Sequence, residues 1–307
     1  MHTKRKKKAI KKSLPEYIFD TFNIIFLLLL TFACFYPFYY IIIYSLSDPA
    51  LSSRGLTFFP RGFTFNNLID VFQLPNLPRA TFNSILRTVV GSTVTVFCST
   101  FLGYVVSKEN LPFRKIIYRF AIVTMYFSAG LVPWYLTMIA YGFSNNFMVY
   151  IIPGALSIFF VILVKTFIES LPPALEESAR IDGAGYLKCF FHIIVPLSMP
   201  IIATLYVFAA VGQWNSFFDN FIFMSSSNHD MHTLQFILFN YMRRAEAVAS
   251  DINSLGAVSV AMGGTRRITP MTVRMSVTTI ITLPILFVYP FAQRFFVKGI
   301  MIGAIKG

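Results

Sequence analysis

The chain has 307 residues, 56% of them hydrophobic and only 13% charged, with a formal net charge of +13. A soluble domain of this size needs more polar surface, so an ordinary globular protein is excluded and a polytopic membrane protein is expected. The positive charge is not spread as a nucleic-acid-binding face, since seven of the 26 basic residues are Lys4, Arg5, Lys6, Lys7, Lys8, Lys11 and Lys12.

That basic cluster, residues 1–20, precedes a charge-free run over 21–47, bounded by Asp20 and Asp48. Basic flanks hold a terminus in the cytoplasm, with attraction to anionic lipid as a second gain. The run is too long for a signal-peptide core and no small-x-small cleavage site closes it, so it reads as a retained first span. An outside segment follows over 48–87. A second span is expected over 88–107, between Arg87 and Lys108. No charge occurs from Phe120 to Val164, and Tyr141 to Asn146 carries turn signals, which predicts two further spans, 120–141 and 147–164. A fifth lies within 198–218. A sixth lies between Arg274 and Arg294, after an outside segment at 221–271. Both outside segments are expected to hold short interfacial helices, and residues 293–307 form a tail.

All twelve lysines then fall in inside segments, and the nine basic residues outside are all arginines. This bias supports six spans with both termini in the cytoplasm of a bacterial plasma membrane. The three cysteines, Cys34, Cys98 and Cys189, lie in or beside apolar runs and offer neither a disulfide framework nor a zinc set. His229-Asp230-Met231-His232 reads as a solvated loop rather than a metal site.

Between spans four and five, Pro172-Pro173 predicts a helix start, Ala174 to Ile181 a short helix, Asp182-Gly183-Ala184-Gly185 a turn, and Tyr186 to Ile194 a second helix ended by Val195-Pro196. Leu175, Ser178 and Ala179 share one face, ringed by Glu176, Glu177, Arg180 and Asp182. On spacing alone this is equally an amphipathic loop between spans. Trp214, Asn215 and Asp219 at the outer end of span five combine an aromatic face with hydrogen-bonding groups, which suits a sugar ring. The alternative is an interfacial tryptophan with helix-end caps. No Gly-x-x-x-x-Gly-Lys-Ser/Thr loop, Gly-x-Ser-x-Gly elbow or His-Glu-x-x-His occurs. Nothing argues for catalysis on this chain, and no cofactor or metal is expected on it.

Glu177-Ser178-Ala179, three residues, Gly183, nine residues, then Ile193-Ile194-Val195-Pro196 resembles the cytoplasmic loop of type I ABC importer permeases. That loop follows Glu-Ala-Ala, three residues, Gly, nine residues, Ile-x-Leu-Pro; Ser178 and Val195 depart from it. Three further stretches resemble the maltose-type second permease and its oligosaccharide-importing relatives. They are Phe127 to Leu136, Gln213-Trp214-Asn215, and the run from Tyr289-Pro290-Phe291 to Gly307. The resemblance implies an all-α fold, the MetI-like six-helix permease with five core spans over 88–292 and a coupling helix in the loop 168–197. It implies ATPase coupling through Glu177, Ser178, Ala179, Asp182, Gly183, Ile193 and Pro196. A second ATPase contact is implied for the tail at Lys298, Gly303, Lys306 and Gly307, against the alternative of a frayed end. The implied partners are a second homologous permease, two ABC ATPase subunits carrying ATP and Mg, an extracytoplasmic solute-binding lipoprotein and an oligosaccharide. A proton- or sodium-coupled secondary transporter is the rival, but spans two, three, four and six contain no ionisable residue of the kind such proteins keep at mid-membrane.

Overall fold

In a bilayer every backbone N–H and C=O must find a partner within the protein, which leaves helices or a closed barrel. The chain takes the first course: no strand occurs among the described residues. The structure, a computed structural model, describes residues 13–52, 55, 58–72, 76–225, 229–254 and 269–304.

Helix α1 (Leu14–Ser45) begins with Pro15 in its first turn and the Ser13 N–H donating to Glu16 at 2.8 Å. Short helices α2 (Pro49–Ser52) and α3 (Asn66–Phe72) follow, and then α4 (Leu77–Ser107). Helices α5 (Arg114–Tyr126) and α6 (Leu131–Ala140) precede a 3-10 turn, Phe147–Tyr150, and α7 (Ile158–Glu169). The next elements are α8 (Ala174–Ile181), α9 (Tyr186–Cys189), a π-helical turn Phe190–Ile194, α10 (Val195–Leu197) and α11 (Met199–Asn215). Last come α12 (Phe218–Phe223), α13 (Leu234–Ser254) and α14 (Pro270–Ala304).

Among the described residues, three helices are long and apolar enough to cross a membrane: α1, α4 and residues 270–287 of α14. Three bent pairs qualify as interrupted spans: α5 with α6 at 115°, α7 with α8 at 78°, and residues 186–197 with α11 at 80°. The protein is therefore an all-helical, multi-pass membrane protein.

Charges mark the apolar windows but not the helix ends. Helix α1 starts at Leu14, and α4 starts eleven residues before Thr88, so Asp20 and Arg87 lie inside helices. The third and fourth expected spans need correction. The third is broken at Phe127–Gly130. The fourth is a 3-10 turn, an irregular stretch at 151–157, and only then a helix. The second outside segment holds a 21-residue helix, α13, not only short ones.

Helix α4 sits at the centre, packed against α7 on one side and α11 on the other. Gly91, Thr95, Ser99 and Gly103 recur every fourth residue and form a small-residue stripe, the pattern that lets membrane helices approach closely. A Cβ on Gly103 would lie 3.0 Å from Val164 Cγ1 and 3.2 Å from the Val161 carbonyl oxygen, and one on Gly91 would lie 2.8 Å from the Gln213 amide. Thr95 Oγ1 donates to the Gly154 carbonyl at 2.6 Å, and Ser99 Oγ accepts from the Ser157 N–H at 3.0 Å. Hydroxyls of α4 thus satisfy two backbone groups of the irregular 151–157 stretch. Val96, Tyr104, Val164, Ile168, Phe190, Ile194, Leu205 and Ala209 form one core shared by α4, α7, the π-turn and α11. Replacing Gly103 by leucine should overpack the contact with α7 and cost about 1–3 kcal/mol. The check is a lower thermal unfolding midpoint of the detergent-purified protein, with Gly103→Ala falling between.

Candidate functional site

Helix α8 starts directly after Pro172-Pro173 and carries Glu176 and Glu177 in its first turn and Arg180 in its last, the charge order a helix dipole favours. It ends in a Schellman turn: the Ala184 N–H bonds the Ala179 carbonyl at 2.9 Å, and the Gly183 N–H bonds the Arg180 carbonyl at 3.1 Å. Gly183 stands at φ +82°, a left-handed conformation that explains glycine at this position. Beyond α9 the chain widens into the π-turn just before Pro196, which has no N–H to give and whose ring crowds the carbonyl one turn back. The 80° bend into α11 follows at Ser198.

The expected coupling residues are brought together on this helix–turn–helix. Glu177, Ser178, Asp182, Gly183 and Pro196 are exposed, and Ala179 and Ile193 are half-buried. Ile181 is 87% exposed, and Leu175 and Leu187 are exposed as well.

The loop is also tied to the bundle. Lys108 forms an ion pair with Glu176 and lies 3.9 Å over the Tyr104 ring. The Tyr104 hydroxyl lies 3.1 Å from the Tyr186 carbonyl oxygen and 3.3 Å from Glu176 Oε1, so one proton is shared between two acceptors. Arg114 pairs with Glu169 and donates to the Val106 carbonyl at 2.8 Å, and Lys165 pairs with Glu169 at 2.7 Å. These charges border a cavity of about 480 Å³ between the 108–114 turn and α8.

The second expected cluster is dispersed. Trp214 turns inward, its Nε1–H donating to the Ile281 carbonyl at 3.1 Å, one residue beyond the carbonyl that Pro284 leaves unpaired in α14. Asn215 is exposed and accepts from the Gln235 amide at 3.3 Å. Asp219 pairs in a bidentate manner with Arg87, with Nη1 to Oδ1 at 2.9 Å. Arg87 also donates from Nε to Gln213 Oε1 at 2.9 Å and from Nη1 to the Ser216 carbonyl at 3.2 Å, and lies 4.7 Å over the Tyr150 ring. At 3% exposure its charge is removed from solvent. Sequence reasoning missed Arg87 by treating it as the outer limit of a span; a cation with Asp219 at the matching end of another span was the available signal.

The break at Phe127–Gly130 is a third feature. Gly130 stands at φ +88° with open space around it. Among the described residues nothing accepts from the backbone N–H groups of Phe127, Ser128 and Ala129. Phe127 and Tyr126 are exposed, and the break borders a cavity of about 530 Å³ reaching Trp134 and Thr137. Of the tail residues, Lys298 and Gly303 fall within α14, and Lys306 and Gly307 lie outside the described residues. His232 is buried, its Nε2 3.3 Å from the Ser225 carbonyl oxygen, and the Asp230 carbonyl accepts from Asn83 at 2.7 Å. The backbone at 230 and the ring at 232 thus serve the packing of this loop.

Residues 96–302 match the family of binding-protein-dependent transport system inner membrane components, and the chain belongs to that family. It is 36% identical over 292 residues to protein LplC of Bacillus subtilis (strain 168), covering 94% of this chain and 95% of LplC. It is 30% identical over 291 residues to the polygalacturonan/rhamnogalacturonan transport system permease protein YtcP of the same organism, covering 94% and 99%. A chain in the crystal structure of a bacterial ABC transporter involved in the import of the acidic polysaccharide alginate superposes with a TM-score of 0.83 at 25% identity, covering 94% of this chain and all of that one.

The Arg87 geometry gives a stability prediction. Asp219→Asn leaves a buried guanidinium without its counter-charge, which costs about 3–5 kcal/mol for a broken buried pair. Folded yield after detergent extraction should collapse, whereas the double replacement Arg87→Met with Asp219→Leu should recover most of it.

Proposed function

We propose that this chain is one permease subunit of an ATP-driven, binding-protein-dependent importer of an oligosaccharide. It pairs with a second, homologous permease and docks on two ATPase subunits through α8. The chain itself has no phosphate loop, so ATP and Mg sit on those partners and hydrolysis is theirs. The observation that carries the reading is the exposed, charge-ringed α8 with its Glu177–Gly183 spacing, anchored from behind by Tyr104 and Lys108. Residues 1–20 and the α8 loop lie in the cytoplasm in this reading, and α13 lies outside. Ser178, Ala179, Asp182, Ile193 and Pro196 shape the docking surface, with Glu177 and Gly183 at its centre. The tail from Lys298 to Gly307 is the second ATPase contact. The names of the relatives, which include a polygalacturonan/rhamnogalacturonan permease and a melibiose/raffinose/stachyose permease, support a carbohydrate with several sugar units.

The route through this subunit runs past the Phe127–Gly130 break. In helix α5 that break is about 12 Å from Arg119, near the middle of a bilayer. Unpaired N–H groups at that depth are tolerated only where they line water or meet protein. Trp214 and Asp219 hold the walls of the route in place, while Asn215 is open to it.

Glu177→Lys reverses charge in the docking surface without touching the bundle. Uptake of labelled oligosaccharide by cells should fall to background while the variant still co-purifies with the second permease. Retained ATP hydrolysis stimulated by the loaded binding protein would sink the docking role of α8. A second check separates backbone from side chain at Gly183. Gly183→Val, forced into a left-handed conformation, should lower uptake strongly, and Gly183→Asn, which tolerates that conformation, should lower it far less.

A further inference from the structure

The α8 loop is joined by the chain itself to two helices: four residues link α7 to α8, and α9 with α10 runs into α11. Motion of α8 therefore reaches α7 and α11 through covalent bonds. Helix α4, the central element, is reached only across space. At one end the contacts are the Tyr104 hydroxyl on the Tyr186 carbonyl and Glu176, and Lys108 on Glu176. At the other end they are Arg87 on Gln213, the Ser216 carbonyl and Asp219. Between Arg87 and Tyr104 the helix has no internal proline and runs about 26 Å at 1.5 Å per residue. Its middle is gripped at Gly91, Thr95, Ser99 and Gly103.

From this closed ring of contacts we infer that α4 is the strut that carries a displacement of α8 to the opposite end of the bundle, with Tyr104 and Lys108 as the positioning residues that join it to the α8 loop. Apolar packing alone lets one helix slide past another by small shear steps. A hydroxyl aimed at the Tyr186 carbonyl and an ion pair to Glu176 fix the register of α4 against the loop. Arg87 fixes it against the segment following α11. Helix α4 is thereby fixed in register against α8 and α9 at one end and against α11 and the segment after it at the other, so it moves with both. Tyr104 is 2% exposed and its ring packs on Phe190 at 5.2 Å, so its hydroxyl is the only part of the side chain that the docking geometry requires in addition to the packing.

The inference rests on the reading of α8 as the ATPase docking helix, and one experiment separates the two. Asn215, exposed at the far end of α11, is replaced by cysteine in a background where Cys34, Cys98 and Cys189 are alanine. The complete transporter is reconstituted in proteoliposomes. Its rate of labelling by a charged methanethiosulfonate reagent is measured without nucleotide and after trapping with ATP and vanadate. The parent should label at clearly different rates in the two states. Tyr104→Phe, which keeps the ring and removes the hydroxyl, should shrink that ratio by about fivefold, the worth of one hydrogen bond. Lys108→Met should act in the same direction, and co-purification of all subunits checks assembly. If both variants keep the parent's ratio, the strut is refuted and the docking reading stands. If the parent itself labels equally in both states, the docking reading fails and the strut falls with it.

Discussion

The arrangement of the bundle depends on how closely α4 can be approached. Lipid is as apolar as the side chains it would replace, so helices in a membrane associate through van der Waals contact and interhelical hydrogen bonds rather than by escaping water. The stripe Gly91, Thr95, Ser99, Gly103 supplies both. Its glycines admit Gln213 and Val164 to distances that a methyl group would forbid. Its hydroxyls bond the backbone of residues 154 and 157. The position of α7 follows from these contacts, and α8 is attached to α7 by four residues, so the surface offered at the end of the bundle is set by a helix that is not part of it.

Two interruptions at membrane depth show what that constraint means for function. The stretch 151–157 is irregular and partly exposed, and α4 pairs two of its backbone groups, the Gly154 carbonyl and the Ser157 N–H. The stretch 127–130 is irregular and open, and the N–H groups of Phe127, Ser128 and Ala129 find no acceptor among the described residues. The first is a structural joint. The second is a polar opening in a hydrophobic wall, and a transport subunit has a use for it that a purely structural protein lacks. The buried Arg87–Asp219 pair belongs with the joints: every donor and carboxylate oxygen it is described with has a partner, and Tyr150 covers the guanidinium face.

How much of this was legible in the sequence follows from the range of the signals. The α8 helix, its turn at Gly183 and the bend after Pro196 were legible, because proline, glycine and charge act over a few residues. The Arg87–Asp219 pair was not, because its partners are 132 residues apart and a charge was taken as the end of a span. The break at 127–130 was hidden by its own composition, since Phe127 and Ala129 are as apolar as a helix interior. Gly130 followed by Pro133 was its only mark. Trp214 leaves two readings open in the sequence, because a tryptophan at a span end faces either a ligand or the interface. The partner its indole N–H finds, a carbonyl of α14 beside Pro284, lies 67 residues away.

The two departures from the family's loop pattern test whether the loop is built for contact. Serine in place of alanine at 178 would be costly in an interface if its hydroxyl stayed unpaired once covered. Instead Ser178 Oγ donates to the Ala174 carbonyl of its own helix at 2.7 Å, so the face it offers to a partner is close to that of alanine. Valine in place of leucine at 195 falls where the π-turn returns to α-helix. There it packs half-buried against the core of Phe190 and Ile194 rather than on the exposed face. A shorter side chain is accommodated there because the wider π-turn has already set the path of the backbone around Pro196. Both changes fall on residues whose polar or steric effect is absorbed within the chain. Glu177, which is exposed, and Gly183, held at φ +82°, keep the family's residues.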